Sequence, residues 1–510
     1  MFARSLVFAL CLLACAPVAL AGDPEFETLL ADTDRGKIMG DGIKILKVYF
    51  KKAAEVDGGR SKSLVARDKA MQKFMQWLEK TPKTMGMDLR AKPRVVVEIF
   101  DRARVGIVAK TKVGRGKIEY IKVADPRGLS RLEYAVLLPG KYSAKNNDRY
   151  PLVVSLHERV INARHPAFRG GKPLAERSRV AIHNGWLKTP AADSVVVIAP
   201  TGNPNGFRFV EKSHYVDQHV TFVTMGQGLT DFRTDWNRVF LEVHGSAVRL
   251  ACEQAFMFAG IILRDREDEK RLAIPAEELF MLENLNGTPL LYIADNKTWA
   301  KVGKPLSEAI AAAYAKSGNA ANFILLRDDR DANGALKGDP KTIAAFVSKH
   351  HLPAKRQHFS WRYFNTRMNA PLPVQIGNAN YFYDPDASLE DKAGRLKFDV
   401  EIEKDGPDKF VNIVNIEITE AENLLLYLYD GLVNLSFPIT VIVNGVKIHD
   451  KVEVKRNWEF FVTDILPRRY FMLPFVAQLE CAFETKPQFV KPKKAANLNK
   501  AVKDNSEDGK

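Results

Sequence analysis

The sequence has 510 residues, and its 76 Lys and Arg against 61 Asp and Glu give a formal net charge of +15. Hydrophobic residues make up 46% and charged residues 27%, which excludes a disordered chain, a collagen-like repeat and a polytopic membrane protein. At about 150 residues per domain, this length predicts two or three domains, each with its own core. Four cysteines are too few for a disulfide framework.

Residues 1–21 have the pattern of a secretory signal peptide. One positive charge precedes an apolar stretch over residues 6–14, and an A-x-A cleavage motif follows at residues 19–21. The apolar stretch is too short for a permanent span, so no transmembrane helix is expected in the mature chain. Residues 12–15 also resemble a bacterial lipobox, and a lipid anchor on Cys15 is the alternative. We therefore predict an exported protein of the periplasm, cell envelope or extracellular space, with no nucleic-acid partner.

The mature chain divides by its patterning into four segments. Residues 22–110 are predicted to be helical, because apolar residues recur there at spacings of three, four and seven, as at Leu64, Met71, Phe74, Met75 and Leu78. Pro82 is expected to end that helix shortly after Lys80. Residues 111–355 alternate strands with helices. Residues 356–485 form short strands without helices. Residues 486–510 hold seven Lys against three acids and read as a disordered tail.

The second segment predicts a parallel sheet. A hairpin formed by residues 117–123 and 132–137 comes first. Short continuous apolar runs follow, and such runs between helical segments are typical of strands covered on both faces. They lie at residues 151–156, 194–199, 239–243, 258–263, 289–294 and 322–326. The clearest helices are expected at residues 307–317 and 340–349.

The third segment predicts an antiparallel, β-sandwich-like module. Residues 396–402 alternate apolar and polar side chains, and Asn444-Gly445 between two strand-like runs is a strong hairpin signal. Cys252 and Cys481 lie in apolar runs of different segments, so we expect two buried free thiols. Clustered aromatic residues predict either interdomain packing or a platform for stacking sugars, namely Trp361, Tyr363, Phe364, Tyr381, Phe382 and Tyr383.

The runs at residues 150–157, 195–200 and 238–247 together resemble the α/β-hydrolase fold of secreted esterases and prolyl-peptidase-like enzymes. The resemblance covers residues 117–350. It implies an α/β fold with a mainly parallel sheet core, here with a helical N-terminal region and the C-terminal β module. Residues 438–445 loosely resemble an appendage of planctomycete-type secreted proteins.

Enzymes of this fold carry a nucleophilic serine on a tight strand-to-helix elbow, G-x-S-x-G. In the frame of the resemblance Gly245 occupies the serine position of the run Val243, His244, Gly245, Ser246 and Ala247. A frame centred on Ser246 puts His244 and Val248 where the turn needs small residues. The elbow is degenerate in both frames, and Ser246 is expected to start a helix, as an N-cap.

The oxyanion loop is degenerate as well. Where the family has a His-Gly-Gly-type segment, this sequence has His157, Glu158 and Arg159. A carboxylate beside a site that stabilises negative charge would oppose the chemistry. We expect Glu158 and Arg159 to form a structural ion pair.

The functional prediction depends on whether the sequence supplies the acid and the base that a catalytic serine needs. Asp295 follows the run at residues 289–294 and is available as the acid, but the next loop, residues 327–334, has no histidine. The first histidine after Ser246 is His350, which with His351 is expected to be a solvated helix end that complements the helix dipole. Without a base, a serine hydroxyl is a very poor nucleophile.

We therefore predict a protein that has lost its catalytic triad and acts by binding or by envelope organisation, without cofactor or metal. Its partner is expected to be an envelope or extracellular ligand, and the positive charge favours an anionic one. One alternative is an active serine esterase or peptidase, in which Ser246 acts with His244, His157 or His214 and with Asp295. A second alternative is a polyanion- or cell-wall-binding protein.

Overall fold

The computed structural model describes much of the chain between residues 24 and 483. The described residues are 24–57, 63–86, 88–104, 113–123, 132–143, 149–156, 182, 185–187, 189–201, 214–244, 247–265, 276–285, 287–331, 336–352, 357–363, 374–376, 390, 393–407, 409–461 and 476–483. The predicted leader, residues 1–21, and the predicted tail, residues 486–510, lie outside them. Among the described residues, no helix is long and apolar enough to cross a membrane.

The first described region is helical, as predicted. Its helices are α1 Pro24–Ala31, α2 Thr33–Asp57, α3 Leu64–Met85 and α4 Pro93–Arg104. Helix α3 continues past Pro82 and ends at Gly86, whose φ of 66° is the left-handed conformation of a C-cap. The expectation that Pro82 ends this helix is wrong, because a proline removes one backbone hydrogen bond whereas packing of Phe74 and Leu78 in the core fixes the whole helix.

The central region is built on an eight-stranded sheet of order β1-β2-β4-β3-β5-β6-β7-β8. Its strands are β1 Ile118–Val123, β2 Leu132–Leu137, β3 Tyr150–Ser155, β4 Val196–Pro200, β5 Thr234–His244, β6 Gly260–Arg264, β7 Leu290–Asp295 and β8 Phe323–Asp328. Strands β1 and β2 form the predicted antiparallel hairpin, and β2 runs antiparallel to β4. All neighbours from β4 through β8 are parallel.

Helices cover both faces of this sheet. They are α5 His214–Asp231, α6 Val248–Glu253, α7 Lys304–Lys316 and α8 Pro340–Lys349. Leu152 and Val154 of β3 join one apolar core, and Val153 between them joins the core on the opposite face. Burial on two faces explains why these strands are continuous apolar runs rather than alternating ones.

The C-terminal strands form two smaller sheets. The strands are β9 His358–Tyr363, β10 Val374–Ile376, β11 Gly394–Lys404, β12 Phe410–Ile418, β13 Asn423–Leu428, β14 Ile439–Val443, β15 Val446–Val452 and β16 Ala477–Ala482, with a short helix α9, Trp458–Phe460. One sheet has the order β15-β14-β12-β11-β9 and the other β10-β13-β16. The predicted hairpin is confirmed by Asn444 and Gly445, with φ of 52° and 78°. The pair β12–β14 is parallel, a departure from an all-antiparallel module.

Aromatic contacts join the three parts. The ring of Trp361 in β9 lies 4.9 Å from that of Phe256 in the central region, and both Trp361 and Tyr363 are buried. Phe461, which follows α9, packs edge-on against Phe100 of α4 at 5.6 Å. Trp361 and Tyr363, of the six clustered aromatic residues, are therefore packed in the interior and do not form a platform for stacking sugars. The other four residues of that cluster lie outside the described residues. Cys252 and Cys481 are buried free thiols, as predicted.

The end of α8 differs from the expectation. Two carbonyls of its last turn, those of Val347 and Ser348, accept hydrogen bonds from Arg238 of β5 at 3.1 and 3.5 Å. His350 instead packs on the ring of Phe346, and burial, with the charges of Lys349 and His351, lowers its pKa from 6.5 to about 4. The histidine is neutral at neutral pH, so Arg238, together with Lys349 of the last turn, supplies the positive charge at the helix C-terminus.

The burial of His350 predicts a loss of stability in mild acid. Between 6.5 and about 4 the unfolded chain binds a proton at this site that the folded chain does not, so the free energy of unfolding falls as the pH falls through that window. We expect His350→Gln to reduce the drop in Tm measured between about pH 7 and about pH 5. The exposed His358→Gln is the matched control, and an equal drop in wild type and His350→Gln would contradict the assignment.

Candidate functional site

The predicted site belongs to the carboxyl edge of the parallel strands, because the ends of parallel strands meet at one edge of a sheet. At this edge β5 ends at His244 and α6 begins at Val248. Val243 is buried, and Ala247 is the N-cap of α6 without a side-chain hydrogen bond. Gly245 and Ser246 lie outside the described residues, as do His157, Glu158 and Arg159. The N-cap expected of Ser246 is thus occupied by Ala247.

Asp295, the candidate acid, ends β7 and is committed to an ion pair. Its Oδ2 accepts a hydrogen bond from Nε of Arg330 at 2.7 Å, and its Oδ1 accepts one from the backbone N–H of Lys297 at 2.8 Å. The side chains of Asp295 and Arg330 are 3% and 12% exposed. Both carboxylate oxygens are therefore occupied: Oδ2 by a cation that comes from the loop after β8, and Oδ1 by a backbone N–H.

The ion pair continues into a second buried carboxylate. Asp265, next to the end of β6, accepts hydrogen bonds from the Tyr292 hydroxyl at 2.6 Å and from the backbone N–H of Asp295 at 2.9 Å. Arg330 also donates to the carbonyl oxygen of Asp265 at 2.8 Å. Burial foremost, and also the charge of Asp295, raise the pKa of Asp265 above its ordinary value. These contacts tie the ends of three neighbouring structural units together: β6, β7 and the loop after β8.

A second buried ion pair links the neighbouring strands β5 and β6. Nε of Arg264, at the end of β6, donates to Oε1 of Glu242 in β5 at 2.5 Å, and both side chains are at most 2% exposed. The indole N–H of Trp186 donates to the other oxygen of Glu242 at 2.8 Å. Nη1 of Arg264 donates to the carbonyl oxygens of Leu336 and Lys337 at 2.5 and 2.7 Å.

Glu242 is ionised in this setting. Its burial opposes the charged form most strongly, but the attraction of Arg264 and of His244, with the hydrogen bond from Trp186, outweighs it, so the pKa of Glu242 lies below its ordinary value. Glu242 and His244 stand two residues apart in β5 and so share one face of the sheet. His244 therefore faces a buried carboxylate whose charge is already balanced by an arginine.

The histidines that follow Ser246 in the sequence all lie elsewhere. Leu352, just after His350 and His351, donates its N–H to the carbonyl oxygen of Asn237 at the beginning of β5. His244 follows Asn237 by seven positions in β5, about 23 Å at the rise of an extended strand. His358 pairs with Asp399 at 3.1 Å and His449 contacts the carbonyl oxygen of Glu480, both in the C-terminal sheets.

Sequence reasoning missed the pairs Glu242–Arg264 and Asp295–Arg330. A signal for the first was present, since Glu242 lies within one of the apolar runs that were assigned to buried strands and Arg264 directly follows another. Opposite charges in neighbouring buried strands predict a pair, because an unpaired buried charge is too costly. No such signal marked Arg330, which stands among Arg327, Asp328 and Asp329 in an evidently polar loop. Among the described residues, no cluster of His, Cys, Asp and Glu could hold a metal ion.

The Glu242–Arg264 pair predicts a specific pattern of stability. Arg264→Met leaves a buried carboxylate without its cation and should lower the free energy of unfolding by about 3–5 kcal/mol. The double variant Glu242→Gln/Arg264→Met removes both charges and should regain much of that loss. Denaturant unfolding of the two single variants and the double variant checks this, and strictly additive losses would refute the coupling. The exposed pair Lys397 and Glu417, 3.1 Å apart, is the matched control, and its coupling should be much weaker because solvent screens the two charges.

The sequence matches no protein-family model and no curated protein. Its structure is similar to solved α/β-hydrolase structures over somewhat less than half of the chain. A thermostable esterase is 15% identical with a TM-score of 0.32 and covers 46% of this chain and 63% of its own. A glucuronoyl esterase from Solibacter usitatus is 12% identical with a TM-score of 0.29 and covers 47% of this chain and 87% of its own.

A dipeptidyl peptidase 4 from Porphyromonas gingivalis is 12% identical with a TM-score of 0.30, and covers 46% of this chain and 35% of its own. This chain thus spans 63% of the length of the thermostable esterase and about a third of the peptidase. The fold assignment itself rests on strand order and direction, β1-β2-β4-β3-β5-β6-β7-β8 with β2 antiparallel to β4. The central region has an α/β-hydrolase-like fold.

Proposed function

We propose that this protein is an exported, non-catalytic member of the α/β-hydrolase fold that acts by binding or by envelope organisation. The observation that carries the proposal is the ion pair between Asp295 and Arg330. In enzymes of this fold the acid after the seventh strand orients a histidine from the loop after the eighth. Here that acid holds an arginine from that loop instead.

An arginine cannot take over the role of the histidine. Its guanidinium stays protonated throughout the physiological range and has no acceptor for a proton, so it cannot act as a general base. Residues 329–338, which continue from β8, contain no histidine. His350 and His351 lie at the beginning of β5 rather than at its end, next to Asn237. A serine at the elbow would therefore lack the usual base.

The positive charge of the chain supports an anionic partner for the binding role. An export route through the predicted leader would place this cationic protein opposite an envelope rich in phosphate and carboxylate groups. Partner and location are both parts of the proposal. A polyanion- or cell-wall-binding role, which uses charge alone, is the less specific form of the same idea.

The competing function is an active serine esterase or peptidase. One observation favours it: His244 stands at the end of β5, two residues before Ser246, and could supply a base by an unusual route. His157 and His214 are the other bases that this alternative would use, and the position of neither side chain is described. Asp295 would have to leave Arg330 to take part.

A fluorophosphonate probe separates the two functions, because it labels only an activated serine. We expect the purified mature chain to remain unlabelled, like Ser246→Ala, while a known serine esterase in the same tube is labelled. Turnover of short-chain aryl esters and of peptide anilides should also equal that of Ser246→Ala. Asp295→Asn and Arg330→Met should change the free energy of unfolding without changing either readout.

Labelling that is lost in Ser246→Ala would overturn the non-catalytic proposal and establish the serine hydrolase. His244→Gln then identifies the base, since loss of labelling in that variant assigns the proton acceptor to His244. Unchanged circular dichroism of each variant is the control for folding.

A further inference from the structure

Helices α2 and α3 form an antiparallel hairpin at the N-terminal end of the described chain. Near one end Gly42 of α2 faces Trp77 of α3, so closely that a Cβ at position 42 would lie 2.5 Å from the indole ring. At the other end the Ser63 hydroxyl, beside the start of α3, donates to Oε2 of Glu55 at 2.6 Å. These two contacts fix which residues of the helices stand side by side.

The outward faces of this hairpin are cationic. Together α2 and α3 carry eleven Lys and Arg against six Asp and Glu. Four exposed lysines of α2 follow one another at spacings of seven, three and four, which is one helix face: Lys37, Lys44, Lys47 and Lys51. Helix α3 adds three more exposed lysines, Lys69, Lys73 and Lys80.

Acidic residues balance only part of this charge. Asp41 pairs with Lys44 at 3.0 Å, and Asp68 pairs with its neighbour Arg67 at 2.8 Å. Lys47, Lys51 and Lys73 make no ion pair with any residue that the structure describes. Their positive charge is therefore available to an anionic partner.

Apolar side chains stand exposed among these lysines. Val48 is 50% exposed, Leu64 is 42% and Val65 is 76%, and they are three of the seven large apolar side chains that are exposed in the described residues. With Gly42 opposite Trp77, Val48 lies about 10 Å along the helix axis from the level of Leu64. The surface of the two helices thus combines unpaired lysines with apolar side chains that nothing described covers.

We propose that the α2–α3 hairpin docks on an anionic lipid membrane surface. The lysines face lipid phosphates, and Val48, Leu64 and Val65 enter the interface between the headgroups and the acyl chains, where apolar groups are stabilised. A dissolved polyanion would satisfy the lysines but would give the three apolar side chains no apolar contact. The combination favours the membrane over an anionic polymer.

This inference rests on the proposed binding role, for which it names the partner, and it does not depend on whether the protein is catalytic. Vesicle binding measures adhesion and the fluorophosphonate probe measures catalysis. A membrane-bound protein that is also labelled would refute the non-catalytic proposal alone. An unlabelled protein that ignores vesicles would refute the membrane proposal alone.

The test is co-sedimentation of the full mature chain with vesicles of phosphatidylcholine alone and of phosphatidylcholine mixed with phosphatidylglycerol in equal parts. We expect binding to the mixed vesicles only, weakened by salt. Lys47→Glu/Lys51→Glu should reduce partitioning by about tenfold or more, since each lysine near an anionic surface contributes to the attraction. Lys301→Glu/Lys304→Glu is the matched control, because it makes the same change in net charge at exposed lysines of the central region and should reduce binding much less.

Val65→Ser separates the membrane from a polymer. It should weaken vesicle binding by about threefold, because one small apolar group no longer enters the membrane interface, and leave retention on heparin unchanged. Equal vesicle binding by wild type and Val65→Ser, or equal losses in the two lysine pairs, would overturn the proposal. Heparin retention without vesicle binding would assign the surface to a polyanion instead. Each side chain is exposed, so a Tm equal to that of wild type confirms that every variant is folded.

Discussion

The buried ion pair between Glu242 and Arg264 is the constraint around which the centre of the sheet is organised. The two residues stand in neighbouring strands that are covered on both faces, where a lone charge would be prohibitively costly. Arg264 also binds the carbonyl oxygens of residues 336 and 337, and Glu242 binds the indole of Trp186. One charge pair thus fixes β5, β6 and two loops at the carboxyl edge of the sheet.

That edge is where a parallel α/β sheet ordinarily offers its site to a ligand. In this protein polar side chains of the edge are bound to one another: Asp295 to Arg330, Asp265 to Tyr292, and Glu242 to Arg264. A fold does not dictate an activity, because chemistry depends on the particular groups placed on it. The groups described here bind one another and so stabilise the edge of the sheet.

Much of the fold was predictable because burial leaves a clear mark on local sequence. Continuous apolar runs predicted β3 to β8, and Asn444-Gly445 predicted the turn between β14 and β15. The failures have a common cause. Pro82 did not end α3, His350 did not serve as a charged helix end, and β14 paired in parallel with β12, because packing from distant segments outweighed each local preference. For the candidate site, the sequence correctly excluded a histidine after β8 but gave no hint of what Asp295 binds.

The sequence by itself determined the strand-and-helix order, the absence of a histidine in the loop after β8, the scarcity of cysteine and the excess of positive charge, because each is a property of residue types and their spacing. Only the tertiary structure decided that Arg330 neutralises Asp295, that the Arg238 side chain rather than that of a histidine binds the last carbonyls of α8, and that the lysines of α2 and α3 lie on the outer faces of one hairpin. Those outcomes depend on which side chains meet across the fold, between residues as much as 110 positions apart in the chain. The local sequence pattern does not specify these long-range contacts, because charge pairing and burial are fixed only when the sheet and its helices assemble.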